Sequence, residues 1–348
     1  MPHPKVDNDT PILVEPLLLL DEDGRPALTV VAKLGFEIGA GGALRVLEEQ
    51  PPINPEGELY FPDHEQSSYR YEPEIAPIKL ATDVAVIAEA HAPGGRPASL
   101  VDVGVSVGPL VKHARVFGER CWLPQGLGEY RLSAPQPFVV MPICYERAFG
   151  GTYEQPDGAI IQEPRNPLGR GLFGPLAERG EVFAPNIEDP RQPISSVRDR
   201  PAPVGFGFTS PNWQPRAALA GTYGPEWEKT RKPLLPRDFR REFYSGASPG
   251  LIAPGYLRGD ELVAAFNLSP EGHLDFALPG VPPPNVRVSV SGTKDLEPRM
   301  LLDTIIVDLV ARRLSLLWRT RMLLPRGVHS FEALKLRCDY PFDPERAA

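Results

Sequence analysis

The chain has 348 residues and a net charge of −8 at neutral pH, and 43 of its residues are proline. Average proline usage of ~5% would give roughly 17, and proline neither donates to a sheet ladder nor fits a helix interior, so long helices must be few. The acidic balance argues against a nucleic-acid binder, which carries a basic domain or stripe. Cys121, Cys144 and Cys338 are odd in number and lack CxxC spacing, which argues against a disulfide framework.

At the start, MPHPKVDNDTP has no basic stretch leading into an apolar one, so no secretory leader is read there. LVEPLLLL is interrupted by Glu15 and Pro16 and falls far short of the ~20 apolar residues of a membrane-spanning helix. The expectation is a soluble cytoplasmic protein with no membrane insertion. Residues 1–26 read as an N-terminal arm. ALTVVAKLGFEI (27–38) then reads as a strand, its β-branched residues flanking Lys33 and its end marked by GAGG. DVAVIAEAH (83–91) reads as a second strand, closed by APGGRP, and LVDVGVSV (100–107) as a third. HARVFGERCW continues past the Gly108-Pro109 break. Residues 145–255 show few regular elements, a length that points to a functional surface, to short strands hidden from pattern reading, or to both. Two hairpins follow: ELVAAFNL and HLDFALPG around SPEG, with Gly272 able to take positive φ, and DTIIVDL and RRLSLLWR around Val310 and Ala311. SFEALKL is the best helix candidate. The expected fold is mainly β: one antiparallel, sandwich-like domain over 27–325 with long ordered Pro/Gly-rich loops, few short helices, and a C-terminal tail at 326–348.

Two motif matches fail on context. Gly104-Val-Ser106-Val-Gly108 fits a nucleophile elbow, which needs a sharp strand-to-helix turn, but Ser106 sits within an alternating apolar strand. Gly169-Arg-Gly171-Leu-Phe-Gly174 fits a dinucleotide loop, which must follow a buried strand and open a helix; EPRNPL precedes it and Pro175 follows. No histidine pair has zincin spacing, and Asp63, His64 and Glu65 read as a polar loop rather than a metal site. Asp295, Asp303 and Asp308 read as strand-edge or turn residues. Between Arg115 and Pro254, Pro, Gly, Arg and aromatics interleave in unique short phrases, a composition suited to ordered loops that present a rigid surface. Glu146 and Arg147, in YERAFGGT, read with Arg120 as a charge network at least half buried and bracing those loops. Trp318 reads as core. Trp213, Tyr223, Trp227 and Phe239 lie in loops and read as partner-binding residues.

In order, VVAK (Val30 to Lys33), APIKLATDV, AHAPGGRP, VGPLVKHARVFGERCW, PFVVMPICYERAFGGTY, NPLGRG, PNIE, PVGFGF and Trp213-x-x-Arg216 resemble one family. AGTYGPEW, Pro236-x-Asp238-Phe239, Tyr256 to Glu261, LPG, DTIIVD and SLLWR continue the match, which spans about 30–320. The family is domain of unknown function 2169, found in bacterial type VI secretion gene clusters. The resemblance implies a cytoplasmic adaptor or chaperone that couples a secreted effector to a VgrG- or PAAR-type spike protein. It carries over no catalytic, cofactor-binding or metal residue. Two alternatives stand beside it: a hydrolase using Glu146, Asp238 or Asp260 in the loop layer, or a structural protein of the secretion locus.

Overall fold

The computed structural model describes residues 4–63, 67–126, 129–155, 157–172 and 182–342. Its principal strands are β1 (Lys5–Asn8), β2 (Leu13–Leu20), β3 (Pro26–Ile38), β4 (Asp83–Ile87), β5 (Leu100–Val107) and β6 (Leu110–Phe117). Late in the chain come β7 (Leu262–Phe266), β8 (His273–Ala277), β9 (Asn285–Val290), β10 (Leu301–Asp308), β11 (Arg313–Leu323) and β12 (Phe331–Arg337). Strands β2-β3-β11-β10-β4 form the largest sheet, with Leu44–Val46 also on β3. Ile187–Glu188 joins β6-β5-β7-β8 in a second sheet, and β1-β12-β9 form a third.

Alternation along the strands sets the layers. Leu28, Val30, Leu34 and Phe36 of β3, with Leu316 and Trp318 of β11, face Val101 to Val107 of β5, Val263 of β7 and Val288 of β9 in one continuous core. Burying each large aliphatic contributes about 1.5–3 kcal/mol, which is why the sheets stack sandwich-fashion. Trp318 is fully buried, as the sequence indicated. Val31, Ala85, Ile87, Ile306 and Leu317 point to the opposite face of the large sheet, where Phe208 covers them.

The mainly-β expectation holds, and both late hairpins form where the turn residues placed them. Gly272 takes φ 75°, and at the second turn the Asp308 carboxylate accepts from Ala311 N at 2.7 Å. Helix is confined to short pieces; Pro225–Thr230 is the α-helix among the described residues. Most pairs are antiparallel, but β1–β12 and β4–β10 are parallel, each joining segments far apart in the chain, so no tight connection is required.

Several expectations are corrected. SFEALKL is not a helix: Val328–Ser330 form a 3-10 turn and Phe331–Arg337 is strand β12. Phe331, Leu334 and Leu336 turn inward there, and β1 and β9 pair on its two sides. The strand read over 83–91 breaks at Ala88, because Glu89–His91 leaves β4's ladder to pair with Val140–Pro142. Asp303 is buried within β10 rather than at its edge or in a turn, whereas Asp308 does end the strand at the turn; both are buried and each is held by an arginine. Segment 1–26 contributes β1 and β2; Pro16 is tolerated because β2 is an edge strand of the large sheet. As expected, the loop-rich layer contains short strands, among them Thr152–Glu154 paired with Ile160–Gln162. Ser106 lies in β5, paired with Val111 and Ala264, as a strand residue. Gly169 to Gly171 run beside Phe149–Gly150, while Gly174, His64 and Glu65 lie outside the described residues.

Candidate interaction surface

The polar face of the large sheet anchors the loop layer. Lys33, Lys79, Arg216 and Arg319 meet Glu72, Glu74, Asp83 and Asp303, all buried. Lys33 Nζ lies 2.7 Å from Glu74, Lys79 Nζ 2.7 Å from Asp83 and 3.7 Å from Glu72, and Arg319 Nε 2.5 Å from Asp303. Arg216 pairs with Glu72 and donates to the carbonyls of Phe243 and Thr209, each at 2.7 Å. Burial works to lower the Lys79 pKa, but the neighbouring carboxylates outweigh it and hold the group above its usual value. Gly246 leaves the room that the Glu72 carboxylate occupies, and its N–H donates to Asp83 at 2.8 Å.

From this anchor the chain builds an aromatic surface over residues 215–244. Tyr223 and Trp227 pack edge to face with centroids 4.8 Å apart. Tyr223 is exposed, and Trp227 is half-buried with its Nε1 donating to Leu234 O at 2.8 Å. Beside them opens a pocket of about 370 Å³ lined by Thr222, Trp227, Thr230, Arg231, Pro236 and Arg237. The Asp238 carboxylate accepts from Thr222 N at 3.0 Å and Oγ1 at 2.7 Å, bonds that hold its pKa below the usual range. Arg231 reaches Asp23 at 2.7 Å, and Arg241 and Arg321 reach Glu22 at 3.0 and 3.1 Å. The surface is thereby pinned to the β2–β3 turn. Burial pushes Glu22 up, and the two arginines outweigh it and leave its pKa lowered.

Of the residues expected to contact a partner, the structure brings Tyr223 and Trp227 together on the outside. Phe239 is half-buried in a separate cluster with Phe243 and Tyr244, at centroid distances of 5.7 and 5.4 Å. Trp213 is in the core rather than on the surface: it is 3% exposed and packs edge to face on Tyr145 at 5.3 Å. Its role in this fold is support.

Glu146, Arg147 and Arg120 brace the loops through three different partners rather than through one another. Glu146 accepts from Ser68 N at 2.5 Å and Ser68 Oγ at 3.0 Å. Arg147 reaches Glu119 at 2.7 Å and Asn186 at 3.2 Å, and Arg120 pairs with Glu188 under the Pro185 carbonyl. Burial dominates that last pair, raising the Glu188 pKa and lowering that of Arg120. Arg147 is 26% exposed, and Glu119 keeps a second cation, Arg170, at 2.8 Å. Arg147→Ala should therefore cost only about 1 kcal/mol or less; a loss of several kcal/mol in urea denaturation would show that the pair is far more shielded than its exposure indicates. Burial and the Glu146 carboxylate push the Cys144 thiol up to about 12, so it is a poor nucleophile at neutral pH.

Sequence reasoning missed Lys112, Ser248 and Tyr145. Lys112 Nζ donates to Ser248 Oγ at 2.6 Å and to Pro249 O at 2.7 Å, while Ser248 Oγ donates to Gly205 O at 2.7 Å. Tyr145 OH lies 2.7 Å from the same hydroxyl and donates to it, since the serine proton is already engaged. A lysine beside a serine resembles an activated nucleophile, yet Ser248 is fully buried and its hydrogen bonds clamp the loop layer onto β6. Only the alternation of β6 could have signalled it, by aiming Lys112 inward. Burial lowers the Lys112 pKa to about 7, with Asp189 opposing the shift. The folded state thus releases a proton that the unfolded chain holds up to ~10.4, so stability rises with pH through this window. Subtracting the pH profile of Lys112→Met from that of the native chain should leave a positive slope from pH 7 to 10, and parallel curves would disprove the linkage.

Among the described residues no group of three or more His, Cys, Asp or Glu gathers to hold a metal ion, and no helix is long and apolar enough to cross a membrane. Glu146 and Asp238 are committed to separate partners, Ser68 and Thr222, and Asp260 is exposed. No curated protein and no solved structure shows a significant match to the chain. A family model does match, over residues 23–319, and its description is "Uncharacterized protein conserved in bacteria (DUF2169)". Because that match runs from β3 through β10 and takes in the second sheet, the buried ion pairs and the aromatic surface, the chain belongs to this bacterial family.

Proposed function

We propose that the chain is a non-catalytic cytoplasmic adaptor that binds a type VI secretion effector and couples it to a VgrG- or PAAR-type spike protein. The observation that carries this reading is the outward Tyr223–Trp227 pair beside an open pocket, on loops braced by Arg231, Arg241 and Arg216. Aromatic side chains next to a concave site are the usual anchors of protein interfaces. Loops already held by ion pairs have little freedom left to lose on binding, which favours affinity. The resemblance of the chain's short phrases to those of secretion-locus proteins motivates the same reading.

The test is capture of the effector and spike proteins encoded beside this chain by the purified full-length protein. Native protein should retain at least one of them. Tyr223→Ala combined with Arg237→Glu, both at exposed positions, should weaken capture about tenfold or more without lowering the melting temperature. If neither protein is captured, or if the double variant binds as well as the native chain, the reading fails.

A further inference from the structure

We propose a second docking site: the basic groove on the outer face of the β1–β12–β9 sheet takes an acidic segment of a protein partner. This site stands whether or not the adaptor reading does, because it rests on other residues. The register sets Asp7 beside Lys335, Lys335 beside Arg287, and Arg337 beside Asn285, which is bridged to Arg299. Alternation puts these side chains on the outer face, opposite Val286, Leu334 and Leu336, which enter the core. Between them runs a groove of about 550 Å³, lined by Arg287, Arg299, Lys335 and Arg337 against one carboxylate, Glu297. Pro283, Pro298 and the buried Met300 supply its apolar surface.

The internal pairs among the described residues engage three of the four cations and leave Arg299 over. Glu297 lies 2.7 Å from Arg287, while Asp7 is shared by Lys335 at 3.5 Å and Arg337 at 3.2 Å. Arg337 also reaches Asp9 at 3.1 Å. Arg299 is exposed and makes no ion pair among the described residues. The paired groups are exposed, apart from the half-buried Arg337, and such surface pairs contribute little (~0–1 kcal/mol), so exchanging them for a partner's carboxylates costs little. A concentration of cations on a chain of net charge −8 marks where an acidic partner would be steered. Nucleic acid fits less well, because Glu297, Asp7 and Asp9 interrupt the patch and would oppose a continuous phosphate backbone. Carboxylates spaced along a peptide, with apolar residues between them, can interleave with the same groups.

The groove is also remote from the aromatic surface. Arg337 binds Asp9 just before β2, whereas Arg231 and Arg241 bind Asp23 and Glu22 just after it. The eight residues of β2 therefore separate the two sites, by roughly 26 Å at ~3.3 Å per residue.

Fluorescence anisotropy of the full chain with a fluorescein-labelled peptide alternating Glu and Leu tests the proposal. An oligothymidylate of the same length and phosphatidylserine vesicles serve as the other arms. The peptide should bind at low salt, weaken as salt is raised, and weaken roughly tenfold further with Arg287→Glu combined with Arg299→Glu at unchanged melting temperature. Tyr223→Ala should leave peptide binding unchanged, which separates this site from the aromatic surface. Absence of peptide binding, affinity indifferent to the groove variant, or tighter binding of oligothymidylate or vesicles than of peptide would each overturn it.

Discussion

Arg216→Ala should destabilise the fold by ~3–5 kcal/mol, the cost of leaving one member of a buried ion pair without its partner. Arg216 is 9% exposed and its guanidinium serves Glu72 and the carbonyls of Thr209 and Phe243 at once. Without it, Glu72 keeps only Lys79, 3.7 Å away, and two carbonyls lose their donor. Domains are stable by only ~5–15 kcal/mol, so this is a large fraction of the total. The consequence reaches the surface, because Arg216 opens the segment carrying Tyr223 and Trp227 and sits 5.5 Å from the Phe243 ring centroid. Urea denaturation measures the effect as a lowered midpoint. Replacing both partners, Glu72→Leu with Arg216→Met, should recover much of the loss, since apolar groups of similar volume often substitute for a buried pair at little cost. A single variant within 1 kcal/mol of native stability would show that the loop layer is held by other contacts.

What could be read in the sequence was local. The β10–β11 hairpin announces itself because two β-branched and apolar runs are bracketed by Asp308 and Arg313 around a four-residue turn, and Gly272 marks the other hairpin by its freedom at φ 75°. SFEALKL misleads because Phe, Ala and Leu suit a helix as well as a strand; the neighbours β1 and β9 decide. Charges were legible as residues and illegible as pairs. Lys33 lies between β-branched and aliphatic residues, and its partner Glu74 is 41 positions away on a segment with no periodic pattern. Glu146 and Arg147 adjoin in sequence, yet in the 3-10 turn Tyr145–Arg147 their side chains reach Ser68 and Glu119 instead of one another. The tryptophans make the same point. Trp213 and Trp227 both sit among prolines and glycines, but the first packs on Tyr145 in the core and the second stands half-buried beside the pocket. Composition fixes how a loop can bend, and only packing fixes which side of it faces water.

The second large effect falls on Gly150, where the chain turns from one ordered phrase to the next. Gly150 takes φ 152°, and a Cβ there would fall on the Asn166 carbonyl oxygen and lie 2.9 Å from the Asn166 side chain. That carbonyl cannot retreat cheaply, since it accepts from Gly151 N at 2.9 Å. The Asn166 side chain is equally committed: it is fully buried and donates to Tyr145 O at 2.7 Å and Phe149 O at 3.0 Å. Relief must therefore come from separating AFGG from NPLG, which disturbs Phe149 in its cluster with Trp122, Ala184 and Ile194. Gly150→Ala should consequently cost as much as emptying a large core position, about 3–5 kcal/mol. Gly158→Ala is the internal control: its φ of 82° carries the same kind of backbone strain, but nothing lies within 4 Å of the added Cβ, so about 1–2 kcal/mol is expected. Thermal and urea unfolding of the two variants separate strain from crowding. If Gly150→Ala proves no worse than Gly158→Ala, the contact between the two phrases yields freely, and the loop layer is less rigid than its hydrogen bonds imply.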